Sequence, residues 1–181
     1  MPKETNHLES VVALTTALEQ LGLSPVLVGG MALVILGSQR ITNDFDFLIS
    51  LREPLLAEVV SIFYDHGFEL VSKLNPQGEA IRTIDNRNVA AARLKLDSPS
   101  SAYFFDRKKG LRIDLLFDFP LSTYEVASRA TRFKIPSGSL RIASTEDLLR
   151  LKELAFADRR AAADAQDVEF LRRLLGKGEI L

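Results

Sequence analysis

Cysteine is absent from this chain of 181 residues, and histidine occurs only twice. Without cysteine there is no disulfide, no thiolate metal site and no cysteine nucleophile. The two histidines, His7 and His66, lie far apart in the sequence and are expected on the surface. Thiol chemistry is therefore excluded, and a metal site built on histidine is not expected.

The chain also lacks a strong excess of either charge and any hydrophobic run of transmembrane length. Lys and Arg total 23 against 24 for Asp and Glu, so the net charge of −1 creates no global field that would attract nucleic acid. An RNA partner would need a local basic patch. The longest apolar stretch, 26–37, is too short to span a bilayer, and the polar opening MPKETN does not resemble a signal peptide. We therefore expect a cytoplasmic protein without a membrane partner.

What the chain does contain is the composition of an ordinary globular domain, with 46% hydrophobic and 26% charged residues. A length of 181 residues allows one sizeable core. We predict a core over residues 1–143 and a helical extension over 144–181 that packs on it, so that the two form one compact unit.

The strongest chemical signal lies in residues 26–50, which read VLVGGMALVILGSQRITNDFDFLIS. A short apolar run is followed by Gly29 and Gly30, then by an apolar segment of helical character, and then by a strand that carries two aspartates. Paired glycines let the backbone adopt positive φ and bring its N–H groups close to a ligand, and a following helix adds the positive end of its dipole. This order of elements predicts an anion-binding turn.

Asp44 and Asp46 follow the predicted helix. Because side chains alternate along a strand, both carboxylates point to one face, while Phe45, Phe47 and Ile49 point into a core. Two neighbouring carboxylates repel each other, and a bound divalent cation such as Mg²⁺ or Mn²⁺ is the simplest relief. Phosphate at the glycine turn and metal at the aspartates together indicate a nucleoside triphosphate. Taken singly, each feature also fits a structural interpretation, as an ordinary tight turn or a solvated strand face.

The run GG-x-A followed by R-x-T-x-D-x-D resembles the DNA polymerase β-like nucleotidyltransferase superfamily. Within it, the likeness is greatest to the small bacterial members that include abortive-infection toxins and aminoglycoside-modifying enzymes. The resemblance implies an α/β (α+β) nucleotidyltransferase fold, with a mixed, mostly antiparallel twisted sheet flanked by helices and a C-terminal helical pair. It also implies a nucleotide-binding role for Gly29, Gly30, Arg40 and Thr42. Many members carry Ser or Thr after the glycines, whereas Met31 stands there in this chain, which leaves the glycines to bind through their backbone.

Hydrophobic periodicity and turn residues predict the remaining elements. Helices are expected over 7–21, 53–66 and 122–130, and a helical pair over 147–175 whose first helix is capped by Ser144. Strands are expected over 68–74 and 89–96, with a loop around a short extended piece between them. Two hairpins are expected, one formed by 103–106 with 111–118 and one by 132–135 with 140–143.

Asp114 is the candidate for a third carboxylate. It lies in the middle of the strand predicted over 111–118, whose other face is apolar. The resembled family keeps a third acid on the strand beside its Asp-x-Asp, so the resemblance implies that Asp44, Asp46 and Asp114 are the catalytic and metal-binding acids. Asp118 is the alternative third acid, but it stands at the end of the strand, where capping of the next element is the expected role.

Lys152 and Arg159 are the candidate cations of the C-terminal helices. The resemblance implies that a lysine on this helix reaches the nucleotide phosphates and that downstream acids close the fold. Helical spacing places Lys152 and Arg159 on one stripe. The alternative is a solvated helix face on which Arg159 or Arg160 pairs with Asp164.

The sequence therefore predicts an enzyme that moves a nucleoside monophosphate from an NTP to a hydroxyl and releases pyrophosphate, with Mg²⁺ or Mn²⁺ as cofactor. The acceptor is left open among a tRNA end, a protein hydroxyl and a small molecule such as an aminoglycoside, and the nucleobase is not specified. The alternative is a non-catalytic nucleotide-binding or regulatory module, for instance one half of a toxin–antitoxin pair with a partner protein. Retention of three acids favours the enzyme, and Met31 favours the module. A third interpretation is an unrelated α/β domain with surface acids.

Overall fold

The computed structural model describes residues 2–178, and side chains over 7–177. Met1 and residues 179–181, the outer ends of the two predicted segments 1–143 and 144–181, lie outside the described residues. Within the described residues, no helix is both long enough and apolar enough to cross a membrane.

Eight strands form one sheet at the centre of the described chain. In chain order they are β1 Val26–Val28, β2 Phe45–Ile49, β3 Glu69–Leu74, β4 Ala80–Ile84, β5 Ser101–Asp106, β6 Leu111–Phe117, β7 Thr131–Ile135 and β8 Gly138–Ile142. Their order across the sheet is β4-β3-β5-β6-β2-β1-β8-β7. The β2–β6 and β1–β8 pairs are parallel and the other pairs are antiparallel. The prediction of a mixed, mostly antiparallel sheet is therefore confirmed.

Seven α-helices flank this sheet within residues 2–178. They are α1 Pro2–Gln20, α2 Gly29–Ile35, α3 Leu56–Asp65, α4 Arg87–Asp97, α5 Thr123–Arg129, α6 Thr145–Arg159 and α7 Ala162–Gly178, with a 3₁₀ turn at Glu53–Leu55 before α3. The C-terminal pair α6 and α7 confirms the predicted helical pair. Ser144 caps α6 as predicted, because its hydroxyl accepts a hydrogen bond from the backbone N–H of Asp147 at 3.1 Å.

The middle strands are rich in hydrophobic residues because they form the apolar core. Phe45 and Phe47 of β2 are buried, and Phe63 of α3 stacks on Phe104 of β5 with ring centroids 4.0 Å apart. Burying one such aromatic side chain stabilises the fold by about 1.5–3 kcal/mol. Because Phe104 pairs with Ile113 and Ile113 with Phe45, this apolar row runs across three strands. Residues of the adjacent row point to the opposite face.

The predicted strand over 89–96 is wrong, since these residues form most of α4. Ala90 and Leu94 are the buried residues of this helix, a spacing of four that belongs to a helix face. The side chain of Asn86 caps the helix by accepting hydrogen bonds from the backbone N–H groups of Asn88 and Val89. The apparent strand alternation came from residues that a helix leaves in solvent, such as Leu96, which is 86% exposed.

The predicted extension is joined to the predicted core by polar and apolar contacts. Arg129 of α5 donates two hydrogen bonds, each 2.8 Å, to the buried carboxylate of Asp147 in α6. Leu148 and Leu171 belong to the same apolar cluster as the strands. The boundary between residues 143 and 144 stays a prediction, and these contacts agree with a single compact unit.

Candidate functional site

Two of the candidate acids lie side by side because β2 and β6 are neighbours. Their parallel register makes Asp46 the direct partner of Asp114. Asp44 precedes β2 by one residue and is partly buried, as is Asp46, while Asp114 is buried with 8% of its surface exposed. Asp46 and Asp114 are therefore direct neighbours on adjacent strands, and Asp44 lies two residues before Asp46.

Gly29 and Gly30 have no side chains, so two of the candidate side chains approach their backbone closely. Gly29 has φ +70°, and a Cβ at this position would fall inside the carboxylate of Asp46. A Cβ at Gly30 would lie 3.0 Å from Cζ of Arg40, so the guanidinium of Arg40 packs directly over this glycine. Gly29 is thus required by its positive φ and by the close approach of Asp46, whereas a side chain at Gly30 would displace the flexible end of Arg40. Val28, the residue before α2, makes no side-chain capping bond to this turn.

A cluster of cations and acids beside this turn consists of Arg40 and four residues of the C-terminal helices. The ammonium of Lys152 lies 2.8 Å from Oδ2 of Asp167 and 3.4 Å from Oδ1 of Asp164. Arg40 also forms an ion pair with Asp167. Arg159 lies 3.2 Å from Asp164, which is the pairing that the solvated-face alternative predicted for this arginine. We call these five residues the cation cluster.

Exposure separates the two candidate cations of α6. The side chain of Arg159 is 64% exposed, whereas that of Lys152 is 12% exposed and lies over two buried aspartates. Lys152 is therefore not part of a solvated helix face. Thr42 is partly buried in the segment that connects Arg40 to Asp44. The nucleotide-binding roles of Lys152, Arg159 and Thr42 stay predictions.

The electrostatics of the acids are unfavourable without an added cation. Burial, together with the charges of Asp114 and Asp44, raises the pKa of Asp46 to about 7, against the opposing effect of Lys152 and Arg112. Burial also raises the pKa of Asp114, and its hydrogen bonds with Arg112 oppose that rise. Asp46 lies against Gly29 and Arg40 against Gly30, so the cation cluster adjoins the acids at the glycine turn. A divalent cation would relieve the strain that both shifts report.

The carboxylates of this site would suit a magnesium-type ion that binds together with its substrate. Among the described residues, no three acidic or histidine side chains already converge on one point as a metal cage. Mg²⁺ is commonly held by one or two carboxylates together with phosphate oxygens and water, and it does not need such a cage. Asp46 with Asp44 or Asp114 supplies the carboxylates that this mode of binding needs.

Asp118, the alternative third acid, is committed elsewhere. Its carboxylate accepts hydrogen bonds of 2.9 Å from the backbone N–H of Thr123, at the start of α5, and from the hydroxyl of Ser50. Although burial alone would raise the pKa of Asp118, these hydrogen bonds lower it. The residue caps the next helix, as its position at the strand end predicted. This geometry supports Asp114 as the candidate third acid.

One residue and one contact at the candidate side chains were not predicted from the sequence: Arg112 as the partner of Asp114, and the pairing of Asp167 with Arg40. Arg112 grips both oxygens of Asp114, with Nε 2.6 Å from Oδ1 and Nη2 2.8 Å from Oδ2. Asp167 joins Arg40 to Lys152. The signal for Arg112 was its position two residues before Asp114 on one strand face, since such residues lie on the same side of the sheet. Asp167 was expected among the downstream acids that close the fold, but its pairing with Arg40 was not, because the two residues lie 127 positions apart in the chain.

A cavity lies away from the acids. It has a volume of about 340 Å³ and lies between α4 and the strands β3 and β5, where Leu70, Leu94 and Ala102 form part of its lining. Leu70 and Ala102 belong to the buried face of their strands, opposite the row that carries Asp114. The cavity is therefore not part of the candidate site.

Comparison with solved structures shows a shared fold at low identity. The chain is similar to an antigenic nucleotidyltransferase-like protein from Paracoccidioides brasiliensis, with TM-score 0.55, 17% identity, and coverage of 92% of this chain and 76% of that one. It is similar to the lincosamide antibiotic adenylyltransferase LnuA, with TM-score 0.53, 13% identity, and coverage of 90% and 94%. For the antibiotic-resistance factor ANT(2″)-Ia the TM-score is 0.61, the identity 12%, and the coverage 97% and 88%. At these identities the likeness establishes the nucleotidyltransferase fold and not a shared substrate.

Family membership follows from the sequence as a whole. No curated protein sequence matches the chain. The family model described as "Nucleotidyl transferase AbiEii toxin, Type IV TA system" matches residues 12–180, which is nearly the whole chain. This match confirms the resemblance that the glycine pair and the Asp-x-Asp predicted. The chain therefore belongs to the AbiEii nucleotidyl transferase toxin family of type IV toxin–antitoxin systems.

Proposed function

We propose that this protein is a metal-dependent nucleotidyltransferase that moves a nucleoside monophosphate from an NTP to a hydroxyl group and releases pyrophosphate. The observation that carries the proposal is the direct pairing of Asp46 with Asp114, next to the buried cation Lys152. A metal–triphosphate needs acids for its metal and cations for its phosphates, placed side by side.

The acids have distinct proposed roles. Asp44 and Asp46 would hold Mg²⁺ or Mn²⁺ on the triphosphate, and Asp114 with Asp46 would hold a second ion near the acceptor. Bound ions of this kind neutralise phosphate charge and lower the pKa of the attacking hydroxyl. The proximity of Asp46 to both other acids supports this sharing, since its pKa responds to the charge of each.

The cation cluster has the complementary role. Asp167 pairs with both Arg40 and Lys152 and so fixes their positions beside the glycine turn. Each cation keeps further N–H donors for phosphate oxygens, since an ammonium has three donors and a guanidinium five. The backbone N–H groups of Gly29 and Gly30 lie at the same turn. We propose that the triphosphate lies between this turn and Lys152, with Thr42 and Arg159 at its margin.

The biological setting that we propose follows the family description. A member of a toxin family of type IV toxin–antitoxin systems is expected to act in the cytoplasm together with an antitoxin partner. The acceptor is a hydroxyl on a tRNA end, on a protein or on a small molecule such as an aminoglycoside. LnuA, described as a lincosamide antibiotic adenylyltransferase, supports the small-molecule class by fold alone.

The experiment is a transfer assay with each α-labelled NTP and Mg²⁺ or Mn²⁺. Total RNA, a protein lysate and an aminoglycoside panel are supplied in separate reactions. The wild-type protein is expected to label one acceptor class and Asp46→Asn to abolish labelling. Asp118→Asn, which also removes one acid, just after the end of β6, is expected to retain labelling. If the wild type binds NTP and never transfers label, the non-catalytic binding module replaces the enzyme. If the wild type binds neither metal nor NTP, the proposal fails.

A further inference from the structure

Arg112 holds Asp114 with a two-pronged ion pair. Nε and Nη2 of Arg112 each contact a different oxygen of the carboxylate, at 2.6 and 2.8 Å. The side chains of Arg112 and Asp114 are only 18% and 11% exposed, so water screens this pair weakly. The guanidinium thus places one positive charge directly on the carboxylate that the proposed function assigns to a divalent cation.

Two further contacts anchor Arg112. Its Nη1 donates a hydrogen bond to the backbone carbonyl of Gly78, in the turn between β3 and β4. Its guanidinium also lies over the ring of Tyr103, with 4.6 Å between Cζ and the ring centroid. Tyr103 is the cross-strand partner of Asp114, so both side chains lie on one face. Asp114, Gly78 and Tyr103 therefore all hold the guanidinium of Arg112 in place.

We propose that Arg112 is a positioning residue that occupies Asp114 in the metal-free protein and competes with the divalent cation for this carboxylate. This inference rests on the proposed function. A guanidinium that takes both oxygens leaves less of the carboxylate for a metal, and its charge repels a second cation nearby. Loading of the acceptor-side ion then requires Arg112 to withdraw from Asp114.

The rival arrangement has Arg112 and the metal share the carboxylate. Each carboxylate oxygen has two lone pairs, so a fork on one side leaves room for a metal on the other. In that arrangement Arg112 orients Asp114 for the metal, and its removal weakens metal binding. Competition predicts instead that removal of Arg112 strengthens metal binding, so the dissociation constant of the metal distinguishes the two arrangements.

The test is Mn²⁺ binding without nucleotide, followed by calorimetry and by loss of the free-Mn²⁺ electron paramagnetic resonance signal. Work at about pH 8 limits competition from protons. Arg112→Met keeps the length of the side chain and removes the fork, and it is expected to lower the Mn²⁺ dissociation constant about tenfold, which corresponds to roughly one charge-assisted hydrogen bond. Arg107→Met removes the same charge from a side chain that hydrogen-bonds Thr83, and is expected to change the constant less than about twofold.

Two further variants keep the test decisive. Arg112→Lys retains a charge without the fork and is expected to give an intermediate constant, which also serves if Arg112→Met fails to fold. In the Asp114→Asn background, Arg112→Met is expected to have no effect, because the competition acts through Asp114. Unchanged or weaker Mn²⁺ binding by Arg112→Met overturns the inference and leaves the proposed function standing. Absence of Mn²⁺ binding by both the wild type and Arg112→Met overturns the inference, and absence of Mn²⁺-dependent NTP binding by the wild type overturns the proposed function as well.

Discussion

The raised pKa of Asp46 predicts that the protein loses stability as pH rises when no metal is present. The pKa of a carboxyl in the unfolded chain is 3.8, and burial with two neighbouring carboxylates raises it to about 7 in the folded protein. Below about pH 4 Asp46 is protonated in both states and costs nothing. Between about pH 4 and 7 the unfolded chain holds fewer protons than the folded one, so the free energy of unfolding falls as pH rises.

The size of this effect follows from the shift. A rise of about 3 pKa units corresponds to about 4 kcal/mol. Asp46 is partly exposed and its two neighbours can take up some protons, so we expect a measured effect of about 2–4 kcal/mol. Asp46→Asn mimics the protonated acid and is expected to abolish this component of the pH dependence. The variant therefore gains stability relative to the wild type as pH rises.

The assay is denaturant unfolding in EDTA at about pH 4.5, 6 and 8 for the wild type and Asp46→Asn. Asp158→Asn, at an exposed position of α6, is the control and is expected to follow the wild type. Added Mg²⁺ is expected to stabilise the wild type at pH 8 and to have little effect on Asp46→Asn, because the ion binds the ionised acid by mass action. Parallel loss of stability in wild type and Asp46→Asn would refute this reasoning.

Two further substitutions test the glycine turn and the cation cluster. Gly29→Ala is expected to lose about 1–2 kcal/mol from its positive φ and more from displacement of the Asp46 carboxylate. Gly22 has φ +91° and no atom within 4 Å of an added Cβ, so Gly22→Ala should lose only the stability that the positive φ costs, as measured by denaturant unfolding. Lys152→Met removes a buried cation that pairs with both Asp164 and Asp167, so it is expected to destabilise the fold by about 3–5 kcal/mol and to weaken NTP binding. Arg159→Met, at a largely exposed side chain, should change the free energy of unfolding by less than about 1 kcal/mol, and similar melting temperatures for the two variants would contradict this assignment.

The parts of the site that the sequence predicts are built from residues that lie close together in the chain. The glycine turn, α2 and the Asp-x-Asp of β2 follow one another within residues 26–50, so turn chemistry and strand alternation predict them together. The hairpin of β5 and β6 is equally local. Asp118 was placed correctly at a capping position because strand ends and helix starts also leave local marks.

The parts of the fold and site that the sequence did not predict depend on contacts between residues far apart in the chain. Arg40 and Asp167 are 127 positions apart, and no periodicity connects a loop after α2 with a helix near the C-terminus. The register that pairs Asp46 with Asp114 arises from a parallel pairing whose strands are separated by three others in the chain. For α4, the local signal was ambiguous, because a short apolar run fits a strand and a helix alike. Burial of Ala90 and Leu94 decides for the helix.

We propose that Asp44 and Asp46 hold a divalent cation that brings the triphosphate into the site, and calorimetric titration with NTP in Mg²⁺ and in EDTA tests this proposal. The wild type is expected to bind NTP only with Mg²⁺, and Asp46→Asn to reduce this affinity about a hundredfold, as loss of a charge-paired metal ligand implies. Equal NTP affinity of wild type and Asp46→Asn, or equal affinity in Mg²⁺ and EDTA, would contradict it.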